Sequence, residues 1–294
     1  MSVRNFSLAA VFTEDWPAGD ADGSPTALPF SHSDLQRRYE IEDLLFHALK
    51  EDSFIVYYQP LFNVKSGTFT EAEALLRLRD PKGGFIPPDE FIPIAEQCGL
   101  ITDIGCAVLD RAAGYAHSLL QAGMNLDSIS VNVSVVQLVQ KNAVDRLMDT
   151  IRKNDLSPHH ILLEVTESTI ISNYKLIAEK IQQMSDAGVQ FALDDFGTGY
   201  SNLAHIIGLP FDSVKIDKSL IWDAVKSYRC NVMIRELIQI FKDIDLSVTA
   251  EGIENEQQDL FVRECGCNKI QGFRYACPMC AEDVKNYFSK ANHA

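Results

Sequence analysis

Residues 190–203 read QFALDDFGTGYSNL, and this stretch decides the fold. A short apolar run, Gln190–Leu193, stops at two adjacent acids, Asp194 and Asp195. It then enters a loop with glycines at Gly197 and Gly199. A brief apolar run closed by turn residues reads as a buried strand leading into a connection. Amphipathic stretches flank it, Asn173–Ala187 before and Lys218–Lys242 after. The same alternation extends both ways. Further strand candidates are Phe54–Tyr58, Thr68–Leu76, Ile129–Val133, Ile161–Val165, Ser213–Ile216, Ser247–Ala250 and Lys269–Ile270. Further helical patterns are Asp89–Gln97, Cys106–Gln121, Val136–Asn154 and Glu256–Cys265. Strands alternating with helices predict an α/β fold with parallel strands and outer helices. About eight such units in ~250 residues predict a closed TIM-type (β/α)8 barrel.

Polar residues recur where each strand candidate ends. Gln59 closes the first, and Glu73 lies late in the second. Asn132, Glu164 and the pair Asp194–Asp195 close the next three, and Lys215, Glu251 and Gln271 the last three. In a barrel these ends converge on the face where catalytic groups sit. One acid at a strand end is commonly a helix N-cap, but recurrence along successive strands points elsewhere. Several buried, unpaired carboxylates would cost several kcal/mol each, and a polyvalent cation relieves that cost. Glu73, Glu164, Asp194, Asp195 and the Asn132 amide suit two hard divalent ions, Mg2+ or Mn2+. No histidine falls among them, which disfavours a histidine-rich zinc site. One acid of the doublet can bridge two cations while its neighbour binds the second, an arrangement that can hold a phosphate, generate hydroxide and neutralise the leaving oxygen. Lys215 would orient that water or pair with the acids. The loop from Phe196 to Leu203 is neither a P-loop nor a dinucleotide fingerprint. It reads as a tight turn or as a mobile segment that governs the site.

The chain has 294 residues, 46% hydrophobic and 23% charged, which suits a sizeable core. A net charge of −15 argues against DNA or RNA polymers as partners. No apolar run is long enough to insert in a membrane. The patch Leu8–Phe12 is too short for a secretory signal, so a cytoplasmic location is expected. Residues 1–32 lack periodicity and read as a flexible leader or linker, with one domain over residues 33–294. Ser33 and Gln36 suggest a capping box opening an amphipathic helix with Leu35, Tyr39, Leu44, Leu45 and Leu49. Seven scattered cysteines speak for reduced thiols. The last four, Cys265, Cys267, Cys277 and Cys280, read as a zinc site or, better, as small side chains of a terminal βα unit.

A series of motifs resembles the EAL domain family of bacterial cyclic-di-GMP phosphodiesterases. It runs YYQPL at Tyr57–Leu61, EALLRL from Glu73, PPDEFIPIAEQCGLI at Pro87–Ile101, VNVS at Val131–Ser134 and LEVTES at Leu163–Ser168. LDDFGTGYSNL at Leu193–Leu203, VKIDKSL at Val214–Leu220, AEGIENEQQ at Ala250–Gln258 and IQGF at Ile270–Phe273 complete it. The resemblance implies hydrolysis of cyclic-di-GMP to linear pGpG, and a first strand that runs antiparallel. It implies that Glu73, Asn132, Glu164 and Asp194 bind one metal, and that Asp194 and Asp195 serve the second with Glu251 nearby. By the same resemblance Lys215 contacts the attacking water. Gln59, Leu75, Arg77, Asp217, Glu254 and Gln271 line the nucleotide site. Glu167 anchors the loop of Phe196, Gly197, Thr198 and Gly199 and links the site to a homodimer interface. An upstream sensor or regulatory partner is also implied. Leu78 stands where the family commonly has Trp, and Asn202 where Ser is usual; neither removes a ligand. The alternative is a catalytically weak sensor that only binds the dinucleotide. A barrel glycosidase would need one acid/base pair rather than a ring of ligands.

Overall fold

The computed structural model describes residues 32–167, 173–198 and 208–292. The chain divides into a unit of residues 1–40 and a unit of residues 41–294, and the second holds the barrel. Its strands are β1 (Ile55–Asn63), β2 (Thr68–Arg79), β3 (Phe85–Ile86), β4 (Ser128–Asn132), β5 (Ile161–Thr166), β6 (Gln190–Phe196), β7 (Ser213–Ile216), β8 (Ser247–Ala250) and β9 (Lys269–Ile270). They lie in the order β1-β9-β8-β7-β6-β5-β4-β2-β3, and a further β1–β2 pairing closes eight of them into a ring. β3 hangs on the far end of β2 through Leu78 and Arg79.

β1 is antiparallel to both of its neighbours, whereas β2 and β4 to β9 form parallel ladders. The physical reason is the connection. β1 and β2 are joined by a short turn ending at Gly67, and a parallel pair needs a long crossover. This corrects the all-parallel reading of the periodicity and agrees with the resemblance. It also moves two residues. Gln59 does not close its strand; β1 runs on to Asn63, and β2 runs on past Glu73 to Arg79. The two face each other in mid-ladder, Gln59 opposite Glu73.

The helices are α1 (His32–Lys50), α2 (Pro88–Gln97), α3 (Ile101–Gln121), α4 (Val135–Leu138), α5 (Ala143–Arg152), α6 (Tyr174–Asp186), α7 (Lys218–Ala224), α8 (Tyr228–Asp243), α9 (Glu256–Glu264) and α10 (Ala281–Ala291). In α1, Ile41, Leu45 and Ala48 recur at helical spacing and join the core. Leu35 and Tyr39 are exposed instead, and Ser33 lies within the first turn rather than ahead of it as a cap. The pattern Val136–Asn154 splits into α4 and α5. Gln140, at the break, gives its carbonyl to the Lys180 ammonium of α6. Lys218–Lys242 splits into α7 and α8, where the Ser227 side chain caps α8 through Cys230 N at 3.4 Å. Apolar side chains from strands and helices form one core, including Phe91, Ile129, Leu163, Phe191, Ile216, Phe241 and Phe288. Among the described residues no helix is long and apolar enough to cross a membrane.

Candidate active site

The parallel strands carry their C-terminal ends to one mouth, and Lys215 of β7 stands at its centre, 3% exposed. Its Nζ lies 3.2 Å from Glu73 Oε2, 3.0 Å from Glu164 Oε1, 3.1 Å from Asp194 Oδ1 and 2.8 Å from Glu251 Oε1. Asn132 Nδ2 donates to Glu73 Oε1 at 2.9 Å, and Gln271 Nε2 donates to Glu73 Oε2 at 2.7 Å. Gln271 also reaches Gln59 Oε1 at 3.2 Å, and Gln59 Nε2 donates to the Ala276 carbonyl at 3.0 Å. Mid-strand Glu73 is thus reached from β4, from β7 and from the residue after β9, and from the side chains of β1 only through Gln271. The reversed β1 supplies the Gln59 end of this chain.

Adjacent residues of a regular strand point to opposite faces, so Asp194 and Asp195 should not share one site. The register of β6 on β7 shifts between Leu193 and Phe196, and Asp195 adopts φ +54°. That conformation is strained for a non-glycine residue. It lets Asp194, Asp195 and Glu251 bring oxygens within 4.8 Å of one another. Gly197 then takes φ +104°, and a Cβ there would overlap the Leu220 side chain. Phe196 is buried edge-on against Phe241, and Thr198 Oγ1 donates to the Asp195 carbonyl at 3.0 Å. Gly199 lies outside the described residues. Glu167 is buried directly after β5.

One ammonium does not neutralise this many acids, and their ionisation records it. Burial pushes Glu251 up to about 8. Burial, then the Asp194 charge, pushes Asp195 up to about 6. Burial and then the Glu73 charge hold Glu164 well above the carboxylate range. Burial opposes the charge of Glu73 too, yet Lys215 and hydrogen bonds from Gln271 and Asn132 hold it below the ordinary value. Burial alone would lower Lys215, but Asp194, Glu164, Glu251 and Glu73 hold it well above the usual lysine value. Glu164 Oε2 is buried without a hydrogen-bond partner. An orphaned carboxylate oxygen beside an under-neutralised acidic cluster fits a hard divalent cation.

Beside the ring opens a cavity of about 450 Å³, lined by Glu73, Leu75, Arg77, Asn132, Asp194 and Asp195 together with residues of α2. Arg77 lies over the Tyr57 ring, 5.7 Å from its centroid. Four expected lining residues are placed elsewhere: Gln59 and Gln271 are buried in the amide chain behind Glu73, and two stand near helix starts. Asp217 caps α7 through Ser219 N at 2.9 Å, and Glu254 stands just ahead of α9 with its backbone N–H on Gln258. Neither borders the cavity. Reading the strand ends missed the α2 wall, Pro88, Asp89, Ile92 and Pro93. Its sequence signal is the PPDEF run. Among the described residues no three of the C-terminal cysteines gather as metal ligands; Cys265 and Cys267 are buried, Cys277 and Cys280 exposed.

The chain belongs to the EAL domain family, whose profile matches residues 42–278. It is 36% identical over 246 residues to the signaling protein YkoW of Bacillus subtilis, covering 84% of this chain and 31% of that protein. It is 34% identical over 253 residues to the bifunctional diguanylate cyclase/cyclic di-GMP phosphodiesterase MucR of Pseudomonas aeruginosa, covering 86% of this chain and 37% of the other. With the cyclic di-GMP phosphodiesterase PdeR of Escherichia coli it shares 33% over 258 residues, 87% of this chain and 39% of PdeR. The chain therefore spans between 31% and 39% of the length of these relatives. The solved MucR phosphodiesterase in complex with c-di-GMP is 34% identical and aligns with a TM-score of 0.79 over 83% of this chain and 99% of that one.

Proposed function

We propose that this chain hydrolyses cyclic-di-GMP to linear pGpG with the help of two divalent ions, Mg2+ or Mn2+. The observation that carries the reading is the convergence of Glu73, Glu164, Asp194 and Glu251 on Lys215, beside a cavity bordered by Arg77. Glu73, Asn132, Glu164 and Asp194 would hold one ion; Asp194 and Asp195 would hold the second, with Glu251 beside it. Ions bound there would supply the charge that activates water and offsets the leaving oxygen. Lys215 donates to the attacking water and keeps it in line with the phosphorus. Arg77 grips the phosphate oxygens, whose geometry its fork matches. Gln59 and Gln271 hold Glu73 in place, and Leu75 borders the nucleotide. Asp217 and Glu254 stand on the loops after β7 and β8, on the same face. The 3′ oxygen leaves and the ring opens.

Relatives more than twice as long support an upstream sensor or regulatory partner, and a cytoplasmic setting follows from the substrate. A homodimer belongs to the same reading. Tyr228, Val232, Met233 and Ile240 leave an apolar stripe on α8 that a second copy would cover. The test is product analysis after incubation with cyclic-di-GMP and Mn2+, with and without EDTA. Linear pGpG only without the chelator is the expected result. Intact dinucleotide despite tight binding would replace the enzyme with a sensor.

A further inference from the structure

Two of the family motifs, PPDEFIPIAEQCGLI and VNVS, contain residues given no role above, although Glu96, Ser134, Gln137 and Gly105 border the same cavity. Glu96 and Ser134 join them: Ser134 Oγ donates to Glu96 Oε1 at 2.5 Å. The same hydroxyl accepts from Val136 N at 3.1 Å, and Gln137 Oε1 accepts from Ser134 N at 3.1 Å. This is a reciprocal capping box at the start of α4. α4 has 4 residues, too few to hold its own place. Its cap is tied instead to α2 through Glu96. Gln137 is confined by α3: it is 4% exposed, and a Cβ at Gly105 would overlap its amide, 2.5 Å from Cδ. Three helices thus meet at Ser134, two positions beyond Asn132.

Asn132 is the last residue of β4. On the sheet side it pairs with Glu164, and Val133 N donates to the Glu164 carbonyl at 2.9 Å. Beyond that the chain leaves the ladder, and Ser134 is its next fixed point. Two residues span at most about 7 Å, so a shift at Ser134 passes directly to Asn132. The Asn132 side chain has one narrow task. Its Nδ2 is committed to Glu73, which leaves Oδ1 to hold an ion.

We propose that Glu96, Ser134 and Gln137 are positioning residues that set the Asn132 amide against Glu73, and that Gly105 is the space they require. This rests on the metal reading above, and the test separates the two. Mn2+ is titrated into the full chain without substrate, free Mn2+ is followed by electron paramagnetic resonance, and urea midpoints are recorded in EDTA. Ser134→Ala and Glu96→Ala should weaken Mn2+ binding on the order of tenfold or more, as loss of a group supporting a metal ligand does. Ser134→Thr and Glu96→Gln keep the hydrogen bond and should bind as wild type. Gly105→Ala crowds Gln137 without touching the ring and should weaken Mn2+ in the same direction. Ser134→Ala binding Mn2+ as tightly as wild type, while Asn132→Ala binds it weakly, would overturn the proposal. So would a drop in urea midpoint with unchanged Mn2+ affinity, which marks a merely structural role. Absence of Mn2+ uptake by the wild-type chain is a different failure: it overturns the metal centre, and this inference with it.

Discussion

Lys215→Met keeps the aliphatic stem of the central lysine and removes its charge. The ammonium is 3% exposed and lies within 3.2 Å of four carboxylates. Removing one partner of a single buried ion pair costs roughly 3–5 kcal/mol, because the other charge is stranded. Here one cation serves four acids, so the metal-free variant should lose at least about 3 kcal/mol in alkaline buffer. Proton uptake moderates the loss, which fixes its pH dependence. Glu251 titrates at about 8 in the folded chain, above its ordinary value of 4.5. A carboxyl raised by folding contributes stability that is full below its unfolded value and lost as pH rises through its folded value. Without Lys215 the acids rise further, so the variant suffers most at high pH and least near pH 6. Urea unfolding followed by Trp222 fluorescence, in EDTA at pH 6 and pH 8.5, measures both points. Mn2+ at a hundred times its dissociation constant should return about 2.7 kcal/mol to wild type, while turnover by the variant stays lost. Equal stability of variant and wild type in EDTA at pH 8.5 would refute the reasoning.

On the proposed metal reading, Mn2+ would displace protons from Glu251 and Asp195, which burial pushes up to about 8 and about 6. Apparent affinity should therefore tighten between pH 6 and pH 8, by about tenfold per unit for each proton released, and calorimetry in buffers of different ionisation heat will count the protons. Gly197→Ala forces a side chain into φ +104° and onto Leu220. It should cost roughly 1–3 kcal/mol of stability and lower kcat, read by urea midpoint and steady-state kinetics. Arg77→Lys keeps the charge and loses the fork. It should weaken cyclic-di-GMP binding about tenfold in calorimetry, with Mn2+ affinity unchanged.

Much of the barrel was legible because apolar runs and amphipathic stretches alternate, and β7, β8 and β9 match their expected bounds. The direction of β1 was not legible from that pattern, since alternation reads the same from either end; only the motif resemblance carried it. The breaks between α4 and α5 and between α7 and α8 were hidden for different reasons. Lys180 takes the Gln140 carbonyl across 40 positions of sequence, a tertiary contact that no local window holds. Ser227 was a readable cap, masked by apolar periodicity that continues through it. Glu73, Glu164, Asp194, Lys215 and Glu251 were visible as charged residues in costly places, and the exposed Asn132 as a polar residue at a strand end. The means by which neighbouring Asp194 and Asp195 reach one site was not visible, because it depends on a register shift and on one strained dihedral. Asp217 and Glu254 were named from motif position alone, and local backbone needs place them beside helix starts rather than on the cavity wall.

The contact between Gln271 and Glu73 joins residues 198 positions apart. A ribosome making this chain therefore releases Glu73 long before the amide that steadies it. The seam that brings them together, β1 on β9, is only two residue pairs long, Phe62 with Ile270 and Asn63 with Lys269. Downstream, Asn292 clasps Phe69 with two hydrogen bonds of 2.8 Å. Assembly of the ring thus waits for residues far downstream of Glu73. A polypeptide released early, short of Gln271, lacks both that amide and the β9 seam, so its mouth is unfinished.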